Sequence, residues 1–200
     1  MSSPGVLLRA EGLAFGFPGR EVFRGLSLSV GPGLGWVRGG DGRGKTSLLS
    51  LLAGRLQPQA GRIVAVSPVA LPDATLTAHD ESPGDRWLQA LRAADAAWAP
   101  GLEAGLVQAF SLAPHLPKPL FQWSAGSRRK LALVAAFAGG AAVTLLDTPY
   151  AALDLRSRQV LTELLLEASA HRSRAWIVAD GEVPSALQQV PLATWVDLGD

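Results

Sequence analysis

Residues 39–46 read GGDGRGKT, which fits the pattern G-x-x-x-x-G-K-[ST] with Gly39, Gly44, Lys45 and Thr46 at the defined positions. Each residue type has a physical task in such a loop. Glycines let backbone N–H groups curl around phosphate oxygens, the lysine neutralises β/γ charge, and the hydroxyl that follows can ligate Mg²⁺. Gly40, Asp41, Gly42 and Arg43 inside the loop, and Ser47 just past it, complete the candidate phosphate cradle. A glycine-rich turn that fits by accident lacks the right neighbours. Here GLGWVRG (33–39) reads as a strand and TSLLSLLAG (46–54) as a helix that is apolar nearly all round and therefore buried. That helix points its positive end at a bound anion, and Gly54 is its expected stop.

Outward from the loop, short apolar runs with glycine-rich ends alternate with helical patterns, which predicts an α/β fold whose mainly parallel sheet is covered by helices. The segment 6–32 has period-two spacing in LSLSV (26–30) and a turn at PGR (18–20), so a small antiparallel piece is expected there. From about 83 to 112 the pattern turns helical: Trp87, Leu91 and Trp98 fall at spacings of four and seven, and Leu102, Leu106 and Phe110 repeat every four. This stripe reads most simply as core, with contact to a partner protein as the sharper alternative. LPKPLFQW (116–123) reads as a Pro-bounded loop, SRRKLALVAAFAG (127–139) as a helix, AAVTLLD (141–147) as a strand and LRSRQVLTELLLEAS (155–169) as an amphipathic helix. AWIVAD (175–180) and ATWVDL (193–198) read as the last strands. The uncharged run LALVAAFAGGAAVTLL (131–146) is shorter than the roughly 20 residues a spanning helix needs, and Gly139-Gly140 divides it into a buried helix, a turn and a buried strand. The expected organisation is one domain over 1–200, with a helical subdomain at about 80–138 inserted in the P-loop core.

Composition narrows the function. A chain of 200 residues suits one domain with a sizeable core. The formal net charge is +1, and the basic residues are scattered apart from Arg128, Arg129 and Lys130. That gives no electrostatic case for nucleic acid. The absence of cysteine excludes disulfides, thiolate zinc sites and a cysteine nucleophile. His79, His115 and His171 have no metal-ligand spacing. The opening MSSPGVLLRAEG lacks the charged and apolar regions of a signal peptide, so a cytosolic chain is expected.

The second half of the candidate site is VTLLDTPYAALD (143–154). A carboxylate at the end of a buried strand can hold the Mg²⁺ shell that bridges nucleotide phosphates, and Asp147 is the candidate. The plainer reading is an ordinary strand-ending aspartate.

With the loop, the strand-ending Asp147 and the order of the segments, the chain resembles an ATP-binding cassette (ABC) ATPase, the nucleotide-binding subunit of a membrane transporter. LAFGFPGREVFRGLSLSVGPG (13–33) is similar to the family's opening, in which an aromatic residue stacks on adenine; Phe17 falls there. LLAGRLQPQAGRI (51–63) follows the family's run from the P-loop helix into the next strand. WSAGSRRKLAL (123–133) resembles the signature motif, usually LSGGQ, at a helix N-terminus. Ser124 and Gly126 match it, with Ala125 and Ser127 at the intervening and following positions. AALD (151–154) resembles the D-loop, ending in Asp154. The short chain and the SAG form of the signature are similar to the small haem-exporter ATPase of cytochrome c maturation.

The resemblance implies ATP and Mg²⁺ as ligands, Thr46 and Asp147 as metal ligands, and a head-to-tail dimer in which each signature caps the γ-phosphate held by the other P-loop. It implies either a homodimer or a heterodimer with another ABC ATPase. It also implies an integral membrane permease docked in the groove formed by residues 67–98, and a cytoplasmic location on the inner face of the cell membrane.

The departures from the family pattern fall on catalytic positions. Thr148 follows Asp147 where the family has the glutamate that polarises water, and Asp180 in IVADGE (177–182) stands where it has the switch histidine. Residues 60–82 contain no glutamine for the Q-loop, though Ser67 lies nearby, and the signature carries Trp123, Ala125 and Ser127 in place of Leu, Gly and Gln. A positioned acid or base contributes typically ~10²–10⁴-fold, and cooperating groups are not lost additively. Slow or absent turnover is therefore expected. Asp180 and Glu182 offer substitute carboxylates, although a solvated acidic turn is the plainer account because an anion there repels phosphate. Three functions follow as expectations: an ATP-binding transporter subunit with weak hydrolysis, a non-transport ATP-dependent switch or scaffold, and an active ATPase with unfamiliar catalytic residues.

Overall fold

The computed structural model describes residues 5–66, 68–73, 75 and 77–199. Strands β1 (Leu8–Phe17) and β2 (Arg20–Val30) form an antiparallel hairpin, and β1 also pairs with β4 (Ala60–Ala65), in the order β2-β1-β4. Leu8 and Ala10 are buried, and then Leu13 and Phe15. The pairing with β2 shifts between Ala10 and Leu13, around Gly12 at φ +60°. One extra residue exchanges the inward and outward positions, so the apolar positions change from even to odd numbers while still facing the core.

The second sheet contains β3 (Gly33–Arg38), β5 (Val69–Ala70), β6 (Val143–Asp147), β7 (Ala175–Ala179) and β8 (Thr194–Asp197), all parallel, in the order β5-β6-β7-β3-β8. All five residues of β7 are buried, the continuous apolar reading of a strand covered on both faces. Helix α1 (Lys45–Leu52) sends Leu48, Leu49 and Leu52 into a core with Val37, Leu145, Ile177 and Val196 of this sheet and Leu8, Leu13 and Val30 of the antiparallel one. The register places Val37 and Asp147 on either side of Ala179. The segments after β3, β6 and β7 therefore emerge side by side at the carboxyl edge, where open α/β sheets carry their ligands. Two bonds hold that edge: the Thr148 N–H donates to Ala179 O at 2.8 Å and the Asp180 N–H to Val37 O at 3.1 Å.

The chain divides into two compact units. The one just described takes in residues through Leu71, Ala141–Thr148 and residues from Leu165 onward; the other comprises Pro72–Gly140 and Pro149–Leu164. The second unit is built on α2 (Gly84–Ala94), α3 (Pro100–Ala109) and α4 (Ala125–Ala138), together with the first part of α5 (Leu155–Ser169). Trp87, Leu88, Leu106, Phe110, Leu112, Leu120 and Trp123 are buried in it. The Asp95 carboxylate closes the connection between α2 and α3, accepting from the Ala97 N–H at 2.9 Å and the Gly140 N–H at 2.7 Å.

The run 83–112 is thus two helices. Its apolar stripe is only partly core: Leu106 and Phe110 are buried, whereas Leu102 is 42% exposed. A four-residue step overshoots one helical turn by about 40°, so two such steps swing a side chain off the buried face. The uncharged run 131–146 resolves into the end of α4, a connection that leaves the helix through the extended Gly139, and β6. Among the described residues, no helix is long and apolar enough to cross a membrane.

Candidate nucleotide site

The phosphate loop links β3 to α1. Gly44 is the N-cap of α1 at φ +95° and supplies no side-chain cap. The first amides of an α-helix have no intrahelical acceptor, and here nothing on the capping residue competes for them. A side chain at Gly44 is also blocked sterically, since a Cβ there would lie 2.2 Å from Val22 Cγ1. Gly42 is likewise left-handed at φ +72°. Lys45 is 9% exposed, and its ammonium donates to Gly39 O at 2.6 Å and Gly40 O at 2.8 Å. A buried cation is thus held at the root of the loop by two carbonyls.

Beside the loop lies a cavity of ≈ 290 Å³. Of the residues singled out in the sequence, its wall contains Phe17, Asp41, Gly42, Gly44, Lys45, Thr46, Ser47 and Thr148. Gly39, Gly40, Arg43, Asp147 and Asp180 lie outside that wall. Phe17 is 53% exposed, and its ring stands nearly perpendicular to that of Phe15 with centroids 5.2 Å apart. Arg20 and Val22 line the cavity although no motif marks them. The signal for Arg20 was the hairpin itself, because a two-residue turn at Pro18-Gly19 sets residue 20 opposite residue 17.

The donor chemistry suits Mg²⁺. Thr46 offers an exposed hydroxyl in the cavity wall, and Asp147 a half-buried carboxylate at the end of β6. Among the described residues there is no cluster of three or more His, Cys, Asp or Glu that would form a protein cage. Mg²⁺ usually takes one or two protein oxygens and completes its shell with phosphates and water, so this sparse set is of the right kind. When bound, the ion would neutralise phosphate charge.

Thr148 carries backbone strain. Its φ of 42° is left-handed, a region that costs an L-residue roughly 1–2 kcal/mol and is a genuine outlier for a β-branched one. Asparagine tolerates this conformation. Thr148→Asn is expected to raise folding stability by about 1 kcal/mol, read by chemical denaturation; an unchanged or lower stability would contradict the strain. Asp180 accepts from the neighbouring Gly181 N–H at 2.8 Å, and Glu182 is exposed.

The signature and D-loop segments meet within the helical unit. Ser124 is the N-cap of α4, its hydroxyl accepting from the Ser127 N–H at 3.1 Å, and Ala125 begins the helix. A Cβ at Gly126 would lie 2.4 Å from Ala152 O, so only glycine permits this approach. Asp154 pairs with Lys130 at 2.5 Å and caps α5, accepting from the Ser157 N–H at 2.9 Å. The Lys130 ammonium, helped by that backbone bond, holds the Asp154 carboxyl well below the usual carboxylate range. Trp123 is buried and its Nε1 donates to Lys118 O at 3.0 Å, so an indole with its own acceptor takes the place of the family's leucine. Ser67 lies outside the described residues.

A glycine loop between a parallel strand and a buried helix, with its lysine fixed at the cavity, defines a P-loop nucleotide-binding protein. Residues 23–151 match the model of the ABC transporter family. The chain belongs to that family. Among its curated relatives is the cytochrome c biogenesis ATP-binding export protein CcmA of Sphingopyxis alaskensis, 35% identical over 175 residues covering 86% of this chain and 88% of that protein. The taurine import ATP-binding protein TauB of Chromobacterium violaceum is 31% identical, covering 90% of this chain and 74% of that protein. In fold, the chain is similar to an ATP-binding subunit of an ABC transporter with a TM-score of 0.80 at 19% identity, covering 96% of this chain and 85% of that one. A Pyrococcus furiosus ABC transporter ATP-binding protein has a TM-score of 0.74 at 19% identity and covers 96% of both chains.

Proposed function

We propose that this chain is the ATP-binding subunit of an ABC transporter and that it holds MgATP with little or no hydrolysis of its own. The observation that carries the reading is the contrast within one cavity wall. The binding groups are in place: the buried Lys45 ammonium, the left-handed Gly42 and Gly44, the Thr46 hydroxyl and the exposed ring of Phe17. The residue after Asp147 is Thr148, whose hydroxyl is not a base at neutral pH.

In this account adenine stacks on Phe17, which contributes about 1–3 kcal/mol by analogy with base–aromatic pairs. The phosphates lie along the loop from Gly39 to Ser47, and Thr46 and Asp147 hold Mg²⁺. Ser124, Ala125, Gly126 and Ser127 face the nucleotide of a second ABC ATPase, identical or different, in a head-to-tail dimer. Asp154, already committed to Lys130 and Ser157, braces that surface rather than reaching across it. The names of the relatives, an ATP-binding export protein and an ATP-binding import protein, support a transport role; in this reading the chain works at the cytoplasmic face of a membrane with an integral permease as partner.

Tagged protein purified from its native membranes in mild detergent with MgATP is expected to bring down an integral membrane subunit. Its repeated absence would favour the non-transport switch.

A further inference from the structure

We propose that Arg20 is a second phosphate-binding cation of this site, holding the α- and β-phosphates from the hairpin side while Lys45 holds the β/γ end. The inference rests on the nucleotide-site reading above and adds a residue that the phosphate-loop motif does not contain.

The geometry comes from two independent places in the chain. The turn at Pro18-Gly19 sets Arg20 directly opposite Phe17 in the hairpin register. From there the guanidinium crosses to the phosphate loop and donates through Nη2 to Gly42 O at 2.8 Å, a contact between residues 22 apart. It therefore stands in the cavity wall, beside the left-handed segment whose amides turn toward an anion. A guanidinium has five N–H donors in a planar fork that matches phosphate oxygens, and one bond to a carbonyl leaves several of them to offer.

Charge favours an anion on that side. The wall carries Lys45 and Arg20 against one carboxylate, Asp41. Position along the ligand follows from the register. Phe17 and Arg20 share one hairpin end, so a nucleotide whose base lies on Phe17 brings its first phosphates, not its last, to Arg20. The same side chain ties the base-stacking hairpin to the phosphate loop.

The alternative role is a brace that shapes the loop without touching ligand, and salt separates the two. Arg20 is exposed, so its attraction to phosphate is screened as the Debye length falls from about 10 Å at 0.1 M to about 3 Å at 1 M salt. Affinities for ATP and ADP, each with Mg²⁺, are measured for wild type, Arg20→Ala and Arg20→Lys at both salt concentrations. Arg20→Ala is expected to lose about tenfold or more for ATP and ADP alike at low salt, with the loss shrinking at high salt and Arg20→Lys recovering part of it. No loss, an equal loss at both salts, or a loss confined to ATP would overturn the proposal while leaving the nucleotide site intact. A wild type that binds neither nucleotide would instead overturn the site itself.

Discussion

Replacing Thr148 with glutamate in a chain that also carries Asp180→His is expected to raise ATP hydrolysis by roughly 10²-fold or more. Thr148 lines the cavity, and its amide is tied to Ala179 O at 2.8 Å at the carboxyl edge of the sheet. A carboxylate introduced there enters the cavity on a fixed backbone. Asp180 is in register beside it: its N–H donates to Val37 O at 3.1 Å, so a histidine at 180 would extend from the same edge. Both changes belong in one variant because groups that act as a unit do not contribute additively, and either alone is expected to do much less. Thr148→Gln with Asp180→His supplies similar bulk without a base and is expected to stay at the wild-type rate. A double variant no faster than wild type, yet folded and binding ATP, would show that supplying a carboxylate at 148 and an imidazole at 180 does not by itself raise turnover.

The second large effect is on binding. Lys45→Ala is expected to weaken ATP binding by at least about 10²-fold, because charge-assisted hydrogen bonds are worth about 1.5–3 kcal/mol each and every 1.4 kcal/mol is tenfold. The 9% exposure of Lys45 sharpens this, since its ammonium is held in place by Gly39 O and Gly40 O before any ligand arrives. Lys45→Arg is also expected to bind poorly, because a planar fork does not reproduce a point charge set between those two carbonyls. Titration of ATP into each variant, with unfolding transitions recorded alongside, separates loss of the contact from loss of the fold. Near-wild-type affinity in Lys45→Ala would remove the phosphate assignment.

Much of the candidate site, as the cavity wall brings it together, was legible in the sequence because its constraints are local. The spacing of Gly39, Gly44, Lys45 and Thr46 encodes a backbone shape, and the strand before and helix after it show in periodicity alone. What stayed hidden depends on pairing across distance or on backbone angles. The hairpin turn sets Arg20 opposite Phe17, but its reach to Gly42 depends on the hairpin folding over the loop, which no local pattern encodes. The bulge at Gly12 changes which residues of β1 face inward, so simple alternation does not sort the strand. The left-handed angle at Thr148 is contrary to its residue type, and propensity would never suggest it. Leu102 shows the converse case: a regular apolar spacing that helix geometry carries out of the core.

If the proposed function is right, the cavity keeps nucleotide without hydrolysing it, which a single-turnover trap reads directly. Excess purified protein is mixed with a trace of ATP and Mg²⁺, and the fraction converted to ADP is followed, with Lys45→Ala as the control. The expected result is ATP that stays bound and intact in the wild type and unbound in the variant. Conversion to ADP that depends on Lys45 would contradict the account, and would mean that a group other than the residue after Asp147 activates water.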